Sequence, residues 1–345
     1  MPISAVDSIT PALEHTKQQL FRRFNIGQWT RLAFVGLLAG ELGSNGCNRS
    51  NFTFPGQPGG PHLPGIDPAL IAAFITAAVV AGLAIGLIFM YVSSVMRFIL
   101  FDSVLTRECH IRMGWNRRMG PGWRYFLFKL VYSILSVAGI AVVVGIPVLL
   151  ALGRGWLRAA RVHLGALFLG GVILVFVLFL YFVLTAVIFV LTKDFVIPQM
   201  ALEDIGLMEA WRRLWLMMQA ETGAYIVYVI MKIVLAIVTA IVMGIATLIV
   251  GLMFAVPSLL LGIVAVISGK RAGLTWNAET ITLAIVIGCI LLAIFLYLVS
   301  LIYVPAIVFF PAYSIYFFAG RYPRLNLALY GPAPAMPPGG TPAVV

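Results

Sequence analysis

The sequence predicts an all-α integral membrane protein: a bundle of about six transmembrane helices, seven in an alternative count, with interfacial amphipathic helices beside it. Three observations carry that expectation. Hydrophobic residues make up 62% of the 345-residue chain and charged residues only 10%, which is not the composition of a water-soluble domain. The mean hydropathy is +1.05. The apolar residues are also gathered into runs that reach or exceed the roughly 20 residues a helix needs to cross the hydrocarbon core.

Five runs meet that length: Pro68 to about Leu105, Tyr125 to Leu152, Leu164 to Thr192, Ala224 to about Ile267, and Ile281 to about Phe318. The first, fourth and fifth exceed one span. Pro257 is expected to break the fourth, and Pro305 and Pro311 the fifth, because proline removes a backbone donor and clashes with the preceding turn. Splitting the fourth near Gly251 gives the seven-helix count, but Gly251 to Pro257 contains no polar turn, which favours six. The sixth span is expected at Trp29 to Leu42, short and either crossing or re-entrant. Its apolar run has the form of a signal-peptide core with Cys47 downstream, yet Ser44 stands where a lipoprotein cleavage site wants leucine.

These spans form a polytopic domain over 29–320. Ahead of it, residues 1–28 are expected to form an interfacial helix. Thr10 and Pro11 mark its start, Leu13, Leu20, Phe21 and Phe24 give one side, and Lys17, Arg22 and Arg23 supply charge. Residues 43–66 have the Gly, Pro and Asn content of a loop. The tail, 331–345, lacks charge and is expected to be disordered.

The formal net charge is +11. Its lysines and arginines stand beside bilayer-length apolar runs, so the expected partners are the phospholipid bilayer and its anionic headgroups rather than nucleic acid. With six helices, 14 basic loop residues fall on one side and 6 on the other, and seven helices leave that ratio unchanged. On the six-helix count the positive-inside rule puts both termini and both elbows in the cytoplasm and the chain in the cell (inner) membrane.

One polar pattern occurs twice. Arg97, Glu108, Trp115 and Arg117 align without a gap on Lys193, Asp204, Trp211 and Arg213, as matching elbows between duplicated helices would. The second elbow, 194–223, is expected to carry an interfacial helix capped by Asp204. Glu209, Arg212, Arg213 and Gln219 share one face, and Leu207, Met208, Trp211, Leu214, Trp215 and Met218 the other. Arg117, Arg118, Glu209, Trp211, Arg212 and Arg213 are therefore candidate contacts to lipid headgroups or a protein partner. The first elbow, with Gly114, Gly120, Pro121 and Gly122, reads as a looser basic loop.

Lys232 is the candidate intramembrane charge, lying about 12 Å along its helix from Ala224 at 1.5 Å per residue. It either snorkels past Tyr228 and Tyr225 or pairs with Glu203, Asp204 or Asp102. Gly82 and Gly86 form a G-x-x-x-G suited to close packing within the chain, in a homo-oligomer or against a membrane partner. His15, His62, His110 and His163 are dispersed, as are Cys47, Cys109 and Cys289. No metal-ligand spacing, nucleophile elbow, P-loop or paired-carboxylate pattern appears, so neither catalysis, metal nor cofactor is expected.

Asp194-Phe-Val, Pro198, Glu203, Glu209-Ala-Trp-Arg-Arg213 and the long helix that follows resemble an uncharacterised group of prokaryotic polytopic membrane proteins. That group is related to the membrane domain of some glycerophosphoryl diester phosphodiesterases. The resemblance implies a bundle of about six helices over residues 5–325 without an established activity. It does not imply the phosphodiesterase reaction, because no soluble barrel segment with a catalytic His and metal-binding carboxylates is present. The expected function is a lipid-associated scaffold or accessory subunit without enzymatic activity. The alternative is a transporter or channel for a small or amphiphilic solute.

Overall fold

The apolar runs become helices with different ends. The computed structural model describes residues 4–22, 25–41, 68–155, 164–271 and 277–331, and no strand occurs among them. The order is α1 (Ile9–Phe21), α2 (Ile26–Leu38), α3 (Pro68–Thr106), α4 (Ile111–Gly153), α5 (Leu164–Leu191), a π-helical turn (Thr192–Val196), α6 (Ile197–Glu203), α7 (Leu207–Ala220), α8 (Thr222–Arg271), α9 (Ala278–Ile302), α10 (Val304–Ala319) and α11 (Pro323–Tyr330). The loop expected at 43–66, the tail beyond Gly331, Cys47, His62 and His163 lie outside the described residues.

Among the described residues, five segments are long and apolar enough to cross a membrane: Ala73–Thr106, Ile111–Gly153, Leu167–Glu203, Thr222–Gly269 and Glu279–Ala319. Their most apolar stretches are not buried inside the protein. Surface of this kind is stable in hydrocarbon and unstable in water, and the chain is a helical membrane protein on that ground.

Several boundaries differ from expectation. The segment Trp29 to Leu42 supplies only the 13-residue α2, about 20 Å long at 1.5 Å per residue, short of the roughly 30 Å hydrocarbon core. Pro257 lies inside an unbroken α8, which keeps the fourth run as one helix. The fifth run does break, at Tyr303, and Pro305 follows in the first turn of α10, where its missing N–H costs nothing. Pro311 lies within α10 without ending it. The first elbow is helix rather than loop, since α4 begins at Ile111 and runs through Pro121. Gly114 contributes to that outcome by packing on α3, where a Cβ would lie 3.1 Å from Ile99 Cγ1.

The chain divides into two compact units. One comprises Met1–Ala5, Arg117–Val229 and Ser314–Val345; the other comprises Val6–Asn116 and Ile230–Tyr313.

In the second of these, α1 and α2 clasp the end of α3. His15 Nε2 donates to Val104 O at 2.9 Å, Gln19 Nε2 to Ser103 O at 3.0 Å, and Gln28 Nε2 to Arg107 O at 2.8 Å. Beyond the end of α2, Arg97 is buried, pairs with Glu41 and donates to Ala39 O at 2.8 Å. The guanidinium thus meets both a carboxylate and a carbonyl at the end of a helix, where positive charge is favoured. Gly36 lets α2 meet α10 closely, for a Cβ there would sit 2.5 Å from Ile307 Cγ2.

In the other unit, α4 and α5 are linked along their apolar lengths. Tyr132 Oη donates to Thr185 O at 2.9 Å and Tyr181 Oη to Ser136 O at 3.0 Å. Such bonds hold helices together where apolar burial gives no drive between them. Gly82 and Gly86 make no such approach among the described residues, since an added Cβ meets nothing within 4 Å at either.

Candidate functional site at the second elbow

The second elbow begins where α5 widens. Pro198 has no N–H to return to Asp194 O, and immediately before it the helix opens into the π turn, with Ile197 N bonded to Thr192 O. The turn carries Asp194 and Phe195 inward, both buried. Phe195 packs against four rings from distant parts of the chain, with centroids 5.3 Å from Tyr225, 5.0 Å from Tyr228, 5.9 Å from Phe317 and 5.1 Å from Phe318. Asp194 Oδ2 accepts from the Tyr228 hydroxyl at 2.9 Å.

The chain then reverses through Asp204, whose backbone is left-handed with φ of 51°, a conformation Asp tolerates better than most residues. This turn leaves Glu203 facing three partners. Its Oε2 accepts from Arg213 at 2.7 Å, its Oε1 accepts from the Tyr322 hydroxyl, and Arg324 Nε stands 3.3 Å from Oε1. One largely buried carboxylate therefore ties α6, α7 and α11 together. Burial first, and the Glu203 carboxylate second, push the Tyr322 hydroxyl well above its ordinary value, so it stays a donor.

At the far end of α7, Arg321 bonds Glu221 through Nε at 2.8 Å. Its guanidinium carbon lies 4.1 Å over the Phe317 ring, a cation–π contact. The elbow is consequently held at Glu203 and at Glu221, one residue to each side of α7's connecting turns.

The expected headgroup contacts separate into two sets. Arg118 is buried and donates to Ala201 O at 2.7 Å, and Arg213 turns to Glu203 and Glu209 at 2.7 and 3.0 Å. These two guanidiniums brace the fold. Arg212 is exposed and touches Glu209 at 2.8 Å, while Arg117 is exposed on α4. Hydrogen bonds from Arg213 and then Arg212 hold the Glu209 carboxyl below the usual carboxylate range.

Trp211 is half-buried, and its Nε1 is buried without a hydrogen-bond acceptor among the described residues. Lys232 is half-buried on α8, within the other unit.

The faces of α7 also differ from the expected split. Leu207, Ala210 and Leu214 are buried, whereas Met208, Trp215 and Leu216 are exposed alongside Arg212. The outward side is apolar, with the exposed Arg212 among these side chains, paired with Glu209.

Reasoning from the sequence missed Tyr322, Arg324, Arg321 and the Arg97–Glu41 pair. Of these, Glu41 and Arg97 did show in the sequence as lone charges in apolar surroundings. The two described cysteines, Cys109 and Cys289, are free, and burial pushes the Cys109 thiol up, away from thiolate reactivity. Among the described residues, no group of three or more His, Cys, Asp or Glu side chains is placed to hold a metal ion.

No curated protein and no solved structure matches the chain. Nothing found connects it with the glycerophosphoryl diester phosphodiesterase membrane domain. A family model does match from residue 3 to residue 328, and the chain belongs to that family, described as a family of unknown function (DUF7544).

Proposed function

We propose that the protein is a lipid-associated membrane scaffold or accessory subunit without enzymatic activity. In this reading α7 lies in the headgroup layer on the cytoplasmic side of the cell membrane. The observation that carries it is the outward face of α7: Met208 is 79% and Leu216 61% exposed, Trp215 stands between them, and Arg212 is exposed at 73%. A water-facing helix has no reason to display Met, Trp and Leu together. A helix seated at the hydrocarbon–headgroup boundary does, with Trp at the polar level and Arg toward lipid phosphate. The 14 to 6 division of basic residues supports the cytoplasmic placement when α2 counts as a crossing.

A spin label on Met208→Cys tests this in the full-length protein reconstituted in bilayers, with Cys47, Cys109 and Cys289 replaced by Ser. The label is expected to collide with oxygen more than with a water-soluble nickel reagent. Dominant nickel collisions at position 208 would refute the interfacial seat of α7.

The transport reading draws on one feature, an apolar cavity of about 470 Å³ between α8 and α9 lined by Met253, Phe254, Pro257, Leu261, Ile287 and Leu291, with Ser258 and Gly262. Its walls suit an acyl chain and offer no charge to a polar solute, which favours the scaffold.

A further inference from the structure

A second basic site belongs to the unit that contains α2 and α3. A cleft of about 560 Å³ is lined by Arg31 of α2 and by His110, Ile111, Arg112, Met113 and Asn116 at the start of α4. Among the described residues, neither the Arg31 nor the Arg112 guanidinium has a carboxylate partner. A carboxylate beside this lining is that of Glu108, whose Oε2 is 3.8 Å from His110 Nδ1. Two guanidiniums from separate helices, an imidazole and a carboxamide thus line one cleft, and the nearby Glu108 carboxylate contacts the imidazole rather than either guanidinium. Like charges gathered in this way repel one another unless an anion neutralises them. The first N–H groups of α4 add further donors, because they have no acceptor within their own helix.

The apolar surroundings identify what kind of anion belongs there. Phe34 and Leu37 follow Arg31 at three-residue steps along α2 and are exposed, and Met113 at the cleft is exposed too. A small inorganic ion would neutralise the arginines and leave this apolar strip uncovered. A lipid covers both, with its phosphate between the guanidiniums and an acyl chain along Phe34 and Leu37.

We propose that the cleft between α2 and the start of α4 is a binding site for the phosphate of an anionic phospholipid. This goes beyond the interfacial seating of α7, since it requires a discrete site with saturable binding.

The test uses full-length protein in nonionic detergent, titrated with dioctanoyl phosphatidic acid, dioctanoyl phosphatidylcholine or inorganic phosphate and followed by native mass spectrometry. Phosphatidic acid is expected to bind in preference to phosphatidylcholine. Arg31→Gln and Arg112→Gln should each weaken it roughly tenfold, the effect of losing one charge-assisted hydrogen bond. Arg31→Lys, which keeps the charge, should retain most of the affinity. Trp215→Ser with Leu216→Ser, which disables the α7 face, should leave this binding unchanged, so the two assignments fail separately.

Equal binding by the wild type and the Arg31→Gln/Arg112→Gln double variant would overturn the site. Inorganic phosphate binding as tightly as phosphatidic acid, and lost in the same variants, would overturn the lipid assignment in favour of a soluble phosphate ligand.

Discussion

The two elbows share a sequence pattern and part company in shape. Each turns through one non-glycine residue in the left-handed region, Arg107 with φ of 62° in the first and Asp204 with φ of 51° in the second. After that turn the first runs directly into α4 and continues to Gly153, whereas the second makes the 14-residue α7, stops at Glu221 and restarts as α8. The residue aligned with Glu221 is Tyr125, buried in a continuous helix. Glu221 instead takes a non-helical backbone and receives Arg321 from a hundred residues away. A duplicated pattern therefore fixes the reversal, while the hinge depends on which side chain arrives from the rest of the chain.

Charge is handled differently as well. Arg97, first residue of the first elbow, is sealed with one carboxylate, Glu41, their side chains only 8% and 5% exposed. The second elbow spreads its charge over Glu203, Glu209, Arg213 and Arg324, most of them partly exposed. Glu41→Ala should show the contrast at its greatest, leaving a buried guanidinium unpaired at a cost of about 3–5 kcal/mol. Chemical unfolding in detergent measures it, and the double change Arg97→Met with Glu41→Leu should recover most of the loss. If Glu41→Ala alone proved neutral, the sealed pair would not be holding α2 to α3.

Glu203→Gln comes next, with an expected loss of about 1–2 kcal/mol, because the hydrogen bonds weaken but water reaches Arg213 and Arg324. Tyr322→Phe should give part of the same effect, and a double-mutant cycle between the two should show coupling. Additive effects would mean that Glu203 does not hold α11 through Tyr322.

The smallest effect is a difference in acid sensitivity. Burial foremost, then the Arg107 charge, lower the His15 pKa from its ordinary 6.5. The unfolded chain binds that proton first as pH falls. The stability His15 contributes is thus full above about 6.5 and is lost as pH drops through that value toward the folded-state pKa. Glu209, lowered from 4.5, contributes stability that is full above 4.5 and lost as pH falls below it, through the folded-state pKa. Hydrogen exchange, corrected for intrinsic rates, should show residues 9–21 loosening at a higher pH than residues 207–220. Simultaneous loosening would remove the distinction between the α1 clasp on the first elbow and α7 of the second.

Much of the scaffold was legible because hydrocarbon imposes a simple rule: long apolar runs must be helices with all their backbone bonds internal. The α7 helix was legible for a related reason, its alternation of charge and apolar bulk, although its cap is Gly206 and not the expected Asp204, which closes α6 instead. Glu41 with Arg97 and Glu203 with Tyr322 were not, since these partners lie 56 and 119 positions apart and no local period links them. The π turn escaped too, although Pro198 directly follows it. A proline in an apolar run announces a missing hydrogen bond but not whether the helix will break, as at Tyr303, widen, as at Thr192, or continue, as at Pro257. Arg118, expected as a headgroup or partner contact, is instead buried on Ala201 O, an acceptor 83 positions away that no local pattern announces.

Gly36 carries a consequence for inheritance. The space for its missing side chain is filled by Ile307, with three of its side-chain carbons within 2.9 Å of where a Cβ would stand. A methyl at 36 demands a smaller residue at 307, so any sequence that keeps this helix crossing and carries alanine at 36 must have given up volume most of the chain away.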